Sequence, residues 1–180
     1  MRIAPGLHRA GSDLVAVYLV EEGGRVTVID AGLPGLWRDL LAELDSMGRS
    51  LQDVAAVLLT HGDTDHLGVA ELQTFRGGDV LDLPGSPRVV HLPGHTDGSV
   101  AFHVPLVDAV MVGDAMTTRN VLTGVTGPQP APFTLEPARA LDSLSALAEV
   151  DARWVLPGHG PSWDGGAAEA VARVRTAATC

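Results

Sequence analysis

The stretch Thr60-His61-Gly62-Asp63-Thr64-Asp65-His66-Leu67-Gly68 decides how this chain is interpreted. It follows the apolar run Val54–Leu59, whose continuous hydrophobic pattern predicts a strand buried on both faces. Two histidines and two aspartates therefore fall within six residues, directly after a strand. Imidazole and carboxylate groups are the usual protein ligands of catalytic zinc. The stretch predicts a metal-binding loop at the end of that strand.

Three later positions repeat this layout of a strand-like run, a glycine and a metal-ligand residue. They are His95 in Pro93-Gly94-His95-Thr96-Asp97-Gly98, Asp114 after Gly113, and His159 in Pro157-Gly158-His159-Gly160. Side chains at the carboxyl ends of strands in α/β folds commonly converge on one ligand site. We therefore expect these residues to meet the loop of His61 and His66 at one point.

The rest of the pattern predicts one mixed α/β domain over residues 1–180, with helices covering sheets. The predicted helices are Leu36–Met47, Ala138–Val150 and Ala167–Ala177, with a weaker one at Val69–Phe75. The predicted strands are Leu14–Val20, Arg25–Ile29, Val54–Leu59, Val80–Leu83, Arg88–Leu92, Val100–Val104, Ala109–Val112 and Trp154–Leu156. The stretch Thr117–Phe133, rich in Gly, Pro and Thr, predicts a long loop.

Composition restricts the partners and the compartment. The net charge is −10, and all 12 basic residues are arginines. This acidic balance argues against nucleic acid or an anionic membrane as a partner and leaves a small-molecule substrate. The single cysteine, Cys180, excludes an intrachain disulfide and a cysteine-based zinc site. No signal-like or membrane-spanning apolar run is evident, so a cytoplasmic protein is expected.

The motif Thr60–Gly68 resembles the signature T-H-x-H-x-D-H-x-G of the metallo-β-lactamase superfamily. The positions around His95, Asp114 and His159 occur in that family's order, and Val28-Ile29-Asp30-Ala31-Gly32 is similar to its early strand-loop element. The resemblance spans nearly the whole chain. It implies a four-layer αββα sandwich, here with a truncated N-terminal half, and a metal-dependent hydrolase.

The resemblance also implies a role for each residue of the site. His61 and His95 would bind a first metal, and Asp65, His66 and His159 a second, with Asp114 bridging the two. Two Zn²⁺ ions per chain are expected. A metal-bound hydroxide would attack an ester, thioester, lactone or lactam, with Asp65 and Asp114 as the catalytic carboxylates. Asp30 would hold a ligand histidine by its other ring nitrogen.

Asp63 departs from the family pattern, which has a second histidine at that position. As an oxygen ligand, Asp63 would favour Mn or Fe at the first metal position. Turned away, it would leave His61, His95 and Asp114, the two-histidine, one-carboxylate set of non-haem iron oxygenases. The superfamily's persulfide dioxygenases use that subset, so an iron-dependent oxygenase is an alternative function. A scaffold with a weakened site is another.

Length is a second departure, because His95 follows His66 by only 29 positions. The family normally has a helix, a further strand and a loop in this interval. We expect a shallow, open site and an uncovered sheet edge that a second copy would protect in a homodimer. A glyoxalase II role is disfavoured, because the chain has no room for the C-terminal helical domain of those enzymes.

Overall fold

The structure is a computed structural model that describes residues 1–62 and 74–179. The first part of the chain forms a five-stranded sheet. Its strands lie side by side in chain order: β1 (Arg2–Ala4), β2 (Leu7–Gly11), β3 (Ala16–Glu22), β4 (Arg25–Ile29) and β5 (Val54–Leu58). The first four pair antiparallel, whereas β4 and β5 pair parallel. The parallel pair needs a crossover, and helix α1 (Trp37–Ser46) lies on it.

A second sheet has four strands: β6 (Arg88–His91), β7 (Val100–Val104), β8 (Ala109–Gly113) and β11 (Trp154–Pro157). They lie side by side in the order β11, β8, β7, β6. The parallel pair is β8 with β11. The connection between these two strands contains a separate two-stranded sheet and a helix: β9 (Thr117–Arg119), β10 (Thr126–Gln129) and α2 (Pro137–Ala148). Helix α3 (Ala167–Ala177) follows β11.

The two sheets pack face to face, as the alternation of side chains along β3 shows. Tyr18 and Val20 lie in a central core with Phe102 and Met111 of the second sheet. Leu19, between them, belongs to a separate core that the first sheet forms with α1. This follows from the two-residue period of a strand, which sends successive side chains to opposite faces.

Strand β8 shows the same alternation on the other side of the molecule. Met111 faces the central core, and its neighbours Val110 and Val112 pack in a third core with side chains of α2 and α3. The layers are therefore α1, the first sheet, the second sheet, and α2 with α3. The predicted αββα sandwich is confirmed.

Several local predictions need correction. Val80–Leu83 is not a strand: Val80 makes one isolated bridge to Arg88, and the chain reverses through Gly85 and Ser86, both at positive φ. The predicted loop Thr117–Phe133 contains β9 and β10. Strand β5 was expected to be buried on both faces, but Val57 is 51% exposed because β5 is the last strand of the described sheet.

Two strands of the structure were not predicted, and one predicted helix cannot be compared with it. Strands β1 and β2 were not predicted, because a three-residue and a five-residue strand around Pro5-Gly6 leave little periodic signal. The predicted helix Val69–Phe75 lies outside the described residues apart from Thr74 and Phe75. Within the described ranges, every helix is too short or too polar to cross a membrane.

Each parallel pair delivers polar residues at the carboxyl ends of its strands. Asp30 follows β4, and Thr60 with His61 follows β5. In the second sheet, Asp114 follows β8 directly and His159 follows β11. Because the strands of a parallel pair end at the same edge, each pair places its two polar groups close together.

Candidate metal centre

Three of the predicted ligand residues converge in the structure. His61, His95 and Asp114 each offer one ligand atom, and these atoms all lie within 4.8 Å of one another. All three side chains are buried. The imidazole rings of His61 and His95 stand edge to face, with centroids 5.1 Å apart. The arrangement brings two imidazoles and one carboxylate to a single point, as the strand-end pattern predicts.

His159 joins the same carboxylate. Its Nε2 atom lies 3.1 Å from Oδ2 of Asp114, and Nε2 of His95 lies 3.7 Å from that same oxygen. One carboxylate oxygen of Asp114 therefore lies near two imidazole nitrogens that come from different loops. This position suits a carboxylate that is shared between two cations.

The other ring nitrogen of each histidine contacts the protein. Nδ1 of His61 lies 3.0 Å from the Thr60 hydroxyl, and Nδ1 of His95 lies 3.2 Å from the Thr134 hydroxyl. Nδ1 of His159 contacts the backbone carbonyl of Leu14. A carbonyl only accepts, so Nδ1 of His159 donates this hydrogen bond, and Nε2 is the ring nitrogen that lies beside Asp114.

The same donor role of Nδ1 follows for His95 from the second contact of Thr134. The Thr134 hydroxyl donates to the carbonyl of Ala131 over 2.8 Å, so it accepts from Nδ1 of His95. Nε2 of His95 is then the ring nitrogen that faces the site. Fixing the tautomer through the nitrogen that does not bind metal is how proteins orient histidine ligands.

Asp30 reaches His61 through Thr60. Oδ1 of Asp30 accepts hydrogen bonds from the Thr60 backbone N–H over 2.9 Å and from the Thr60 hydroxyl over 3.0 Å. With its hydroxyl proton donated to Asp30, Thr60 accepts from Nδ1 of His61. The expected support of a histidine by Asp30 is thus relayed by an intervening hydroxyl, which the sequence did not indicate.

Glycines beside the ligands permit close packing. Gly94 has a φ of +139°, and a Cβ atom there would lie 2.3 Å from the backbone nitrogen of Ala140 in α2. A side chain would therefore push α2 away from the His95 loop. Gly94 and His95 are also held by the segment before α2, because the Glu136 N–H donates to the Gly94 carbonyl over 2.9 Å.

The loop of His159 is held from the first sheet by Tyr18. The buried Tyr18 hydroxyl donates to the Pro157 carbonyl over 2.8 Å. Burial raises the pKa of Tyr18 far above its ordinary value, and the nearby charge of Arg9 opposes this only in part. At neutral pH Tyr18 is therefore a neutral hydrogen-bond donor.

Three predicted ligands, Asp63, Asp65 and His66, lie outside the described residues. Their roles, and the ligand roles of the four residues that the structure brings together, remain predictions. Thr60, Thr134 and the Leu14 carbonyl were not among the predicted groups. Thr60 stood within the quoted motif, whereas nothing in the sequence marked Thr134 or a backbone carbonyl.

The model of the metallo-beta-lactamase superfamily matches this chain over residues 10–79 and 69–159. An uncharacterized protein of Bacillus subtilis (strain 168), YobT, is 28% identical over 81% of this chain and 83% of its own length. Metallo-beta-lactamase domain-containing protein 1 of Xenopus laevis is 30% identical over 78% of this chain and 68% of its own length. A hydroxyacylglutathione hydrolase of Hyphomonas neptunium is 30% identical, and this chain spans 46% of its length.

Solved structures share the fold. A metallo-beta-lactamase family protein from Thermus thermophilus superposes with a TM-score of 0.75 at 21% identity, covering 99% of this chain and 81% of that one. TTHA1623, solved in a di-iron-bound form, superposes with a TM-score of 0.65 at 25% identity, covering 93% and 97%. With the family model matching most of its length, this chain belongs to the metallo-β-lactamase superfamily.

Proposed function

We propose that this protein is a cytoplasmic metal-dependent hydrolase that cleaves an ester, thioester, lactone or lactam, with two zinc ions per chain. The observation that carries the proposal is the convergence of His61, His95 and Asp114 within 4.8 Å, with His159 Nε2 3.1 Å from Asp114. Two imidazoles and a carboxylate at one buried point, with a third imidazole beside the same carboxylate, form a donor set typical of catalytic zinc.

The donor set fits a metal ion in a second respect. Nδ1 of His95 donates to Thr134 and Nδ1 of His159 donates to the Leu14 carbonyl, so Nε2 is the nitrogen that each ring turns toward the site. In the proposal, His61, Asp63 and His95 hold one ion, Asp65, His66 and His159 hold the other, and Asp114 is shared by both. A bound divalent metal polarises a carbonyl and brings the pKa of a coordinated water to about 7.

The residues themselves have distinct tasks in this proposal. Asp114 places one carboxylate oxygen beside Nε2 of His95 and Nε2 of His159 and would offset part of the positive charge of the ions. Asp30 and Thr60 keep the His61 ring in one orientation and one tautomer. Asp65 is assigned the leaving-group proton: its carboxylate would accept a proton from the attacking water and then donate it to the leaving group. These residues suit a substrate whose carbonyl carbon can be attacked by water, without a nucleophilic side chain of the protein.

The hydroxyacylglutathione hydrolase relatives favour the thioester within this substrate range. One of them is 34% identical over 48% of this chain, and this chain spans 42% of that protein. The chain thus covers about half the length of these relatives, so the likeness supports the shared reaction class and leaves the acyl and thiol groups open to test. Glyoxalase II is another name for these hydrolases. The expectation that this chain is not a glyoxalase II rests on their C-terminal helical domain, for which the chain has no room.

The proposal is tested by metal analysis and a substrate panel on the same preparation. Protein expressed with supplemented zinc or manganese should contain two ions per chain and hydrolyse at least one of p-nitrophenyl esters, lactones, nitrocefin or thioesters. Asp114→Ala should abolish turnover. Asp97→Ala is the matched control, because Asp97 lies two residues from His95 with its side chain exposed. Absence of metal and of turnover, or full turnover in Asp114→Ala, would contradict the proposal.

A second candidate is an iron-dependent oxygenase of persulfide or thiol substrates. Its supporting observation is that the converging group consists of two histidines and one carboxylate, His61, His95 and Asp114. One iron per chain, with oxygen uptake on addition of a persulfide, would favour this function over hydrolysis. Two zinc or manganese ions with carbonyl hydrolysis and no oxygen uptake would exclude it.

A further inference from the structure

We infer that Arg9 is a positioning residue for His159: its buried guanidinium fixes the backbone that orients the His159 ring. The inference rests on the proposed function, because it concerns a histidine of the proposed metal site. It adds a residue that the sequence pattern did not indicate. Arg9 lies in β2, 150 positions before His159 along the chain.

Arg9 is a cation enclosed by the protein, with only 8% of its surface exposed. Its Nη2 atom lies 2.7 Å from the carbonyl oxygen of Ser12, 3.1 Å from that of Gly160 and 3.2 Å from Oδ1 of Asp13. A buried cation is unfavourable unless it is paired and hydrogen-bonded. The three oxygens provide that pairing, and they belong to two segments that are distant in sequence.

Backbone hydrogen bonds join the same two segments. The Gly160 N–H donates to the Asp13 carbonyl over 2.9 Å, and the Ala16 N–H donates to the Gly158 carbonyl over 2.9 Å. The turn formed by residues 12–16 and the loop formed by residues 158–160 therefore lie against each other on either side of Arg9. His159 is the central residue of that loop.

The turn supplies the group that orients the histidine. Leu14, which follows the two residues that Arg9 contacts, presents its carbonyl to Nδ1 of His159. The turn closes through the Ser12 N–H, which donates to the Val15 carbonyl over 3.0 Å. By binding Ser12 and Asp13 on one side and Gly160 on the other, Arg9 sets the position of the Leu14 carbonyl relative to the ring.

Other contacts keep the His159 loop in place when Arg9 is replaced. The Thr117 hydroxyl donates to the His159 carbonyl over 2.8 Å, and the Thr118 N–H does so over 3.1 Å. The Tyr18 hydroxyl holds Pro157 from β3. Loss of Arg9 should therefore disturb the ring's orientation and tautomer more than the course of the loop.

A lysine should not replace Arg9 fully in this task. All three contacts come from one nitrogen, Nη2, so the placement of that nitrogen between the two segments is what matters. In arginine Nη2 lies at the end of a planar, rigid guanidinium, whereas the lysine ammonium is a compact point charge on a shorter, flexible stem. Arg9→Lys keeps the charge and tests whether charge without this rigid placement is enough.

The experiment measures the histidine ring directly, without metal. Long-range ¹H–¹⁵N NMR spectra of the metal-free wild type should show His159 with its proton on Nδ1. In Arg9→Lys and Arg9→Met, the His159 ring should populate both tautomers. Competition with a chelator should then show about tenfold weaker binding of one Zn²⁺. Arg49→Met is the control, because it removes another paired arginine, bonded to Glu21, away from the site.

An unchanged His159 tautomer in folded Arg9→Met would overturn the inference, as would an equal change in Arg49→Met. If Arg9→Met does not fold, Asp13→Ala decides the question, because its side chain is 44% exposed and its backbone contact with Gly160 is retained. Asp13→Ala should shift the His159 ring signal by a smaller amount than Arg9→Met would, and the absence of any shift would overturn the inference. A wild type that binds no metal but shows the tautomer effect would contradict the proposed function alone.

Discussion

Gly113 lies directly against the hydroxyl of Thr60: a Cβ atom added to Gly113 would be 2.2 Å from Thr60 Oγ1. This contact joins the two sheets at the site, because Gly113 ends β8 and Thr60 follows β5. It leaves no room for a side chain between Asp114 and the hydroxyl that supports His61. The Thr60 hydroxyl is therefore positioned from both sides, by Asp30 of the first sheet and by Gly113 of the second.

Gly113→Ala should therefore displace Thr60 and weaken metal binding. The overlap and the positive φ of Gly113 should together lower the free energy of unfolding by about 2 to 4 kcal/mol. Urea denaturation and metal content measure the two effects. Gly48→Ala is the control, because Gly48 also has a positive φ but nothing lies within 4 Å of an added Cβ. Gly48→Ala should cost about 1 kcal/mol and leave metal content unchanged; similar metal loss in both variants would contradict the argument.

Thr60→Val removes the hydroxyl that links Asp30 to His61 and keeps the shape of the side chain. Nδ1 of His61 then loses its partner at 3.0 Å, so the orientation and tautomer of the ring are no longer fixed. We expect zinc affinity to fall by roughly 10- to 100-fold, as is usual when a group that supports a metal ligand is lost. Competition with a chelator measures this. Thr60→Ser, which keeps the hydroxyl, should bind as the wild type does; equal losses in both variants would count against the relay.

Asp63→His restores the residue that the family signature has at this position. The motif predicts that zinc occupancy of the first metal position will rise, because imidazole is a better zinc ligand than the shorter carboxylate. Metal analysis before and after dialysis against a weak chelator measures the change. If stoichiometry and activity both stay as in the wild type, Asp63 is not a ligand and its assignment is wrong.

Phe133 combines a φ of +61° with a side chain that is 73% exposed. A left-handed conformation costs a residue with a side chain about 1 to 2 kcal/mol and costs glycine little. Phe133→Gly should therefore be more stable than Phe133→Ala, by about 1 kcal/mol in urea denaturation. Leu135, equally exposed at 75% and at an ordinary φ, is the control site, where alanine should be the more stable of the two. The same order at both sites would refute the interpretation of strain.

His103 should make the fold sensitive to acid. Burial is the main cause that lowers the pKa of His103 from its ordinary value of 6.5, and the charge of Arg88 adds to it. The folded state thus disfavours the protonated ring, so stability is full above about pH 6.5 and is lost as the pH falls through the lowered value. His103→Gln should show a smaller loss of stability over this interval. Parallel curves of unfolding free energy against pH for the two proteins would contradict the assignment.

The four layers were expected from the resemblance to the metallo-β-lactamase superfamily, whereas the apolar runs by themselves predicted a mixed α/β domain with helices covering sheets. In β3 and β8 successive residues are apolar, which is typical of strands buried on both faces. The sequence also predicted the convergence of His61, His95, Asp114 and His159, because each is placed at the end of an apolar run. The pattern of apolar residues was sufficient to predict a helix or strand wherever burial of its apolar residues determines its position.

The supporting contacts could not be predicted in this way. The Leu14 carbonyl is a backbone group that any residue would supply, and the role of Thr134 depends on how the segment before α2 lies against His95. Arg9 depends on the approach of Gly160 from the opposite end of the chain. Such contacts arise from tertiary structure and have no signature in the spacing of nearby residues.

The pairing of Arg9 with Gly160, over 151 positions of sequence, bears on when the proposed metal site is completed during folding. Contacts between residues so far apart form late in folding, because their loop-closure entropy is offset only when both sheets have docked. A chain emerging from the ribosome holds His61 and His95 long before it holds His159. In the proposed metal site, the complete ligand set is therefore assembled only after synthesis has passed β11.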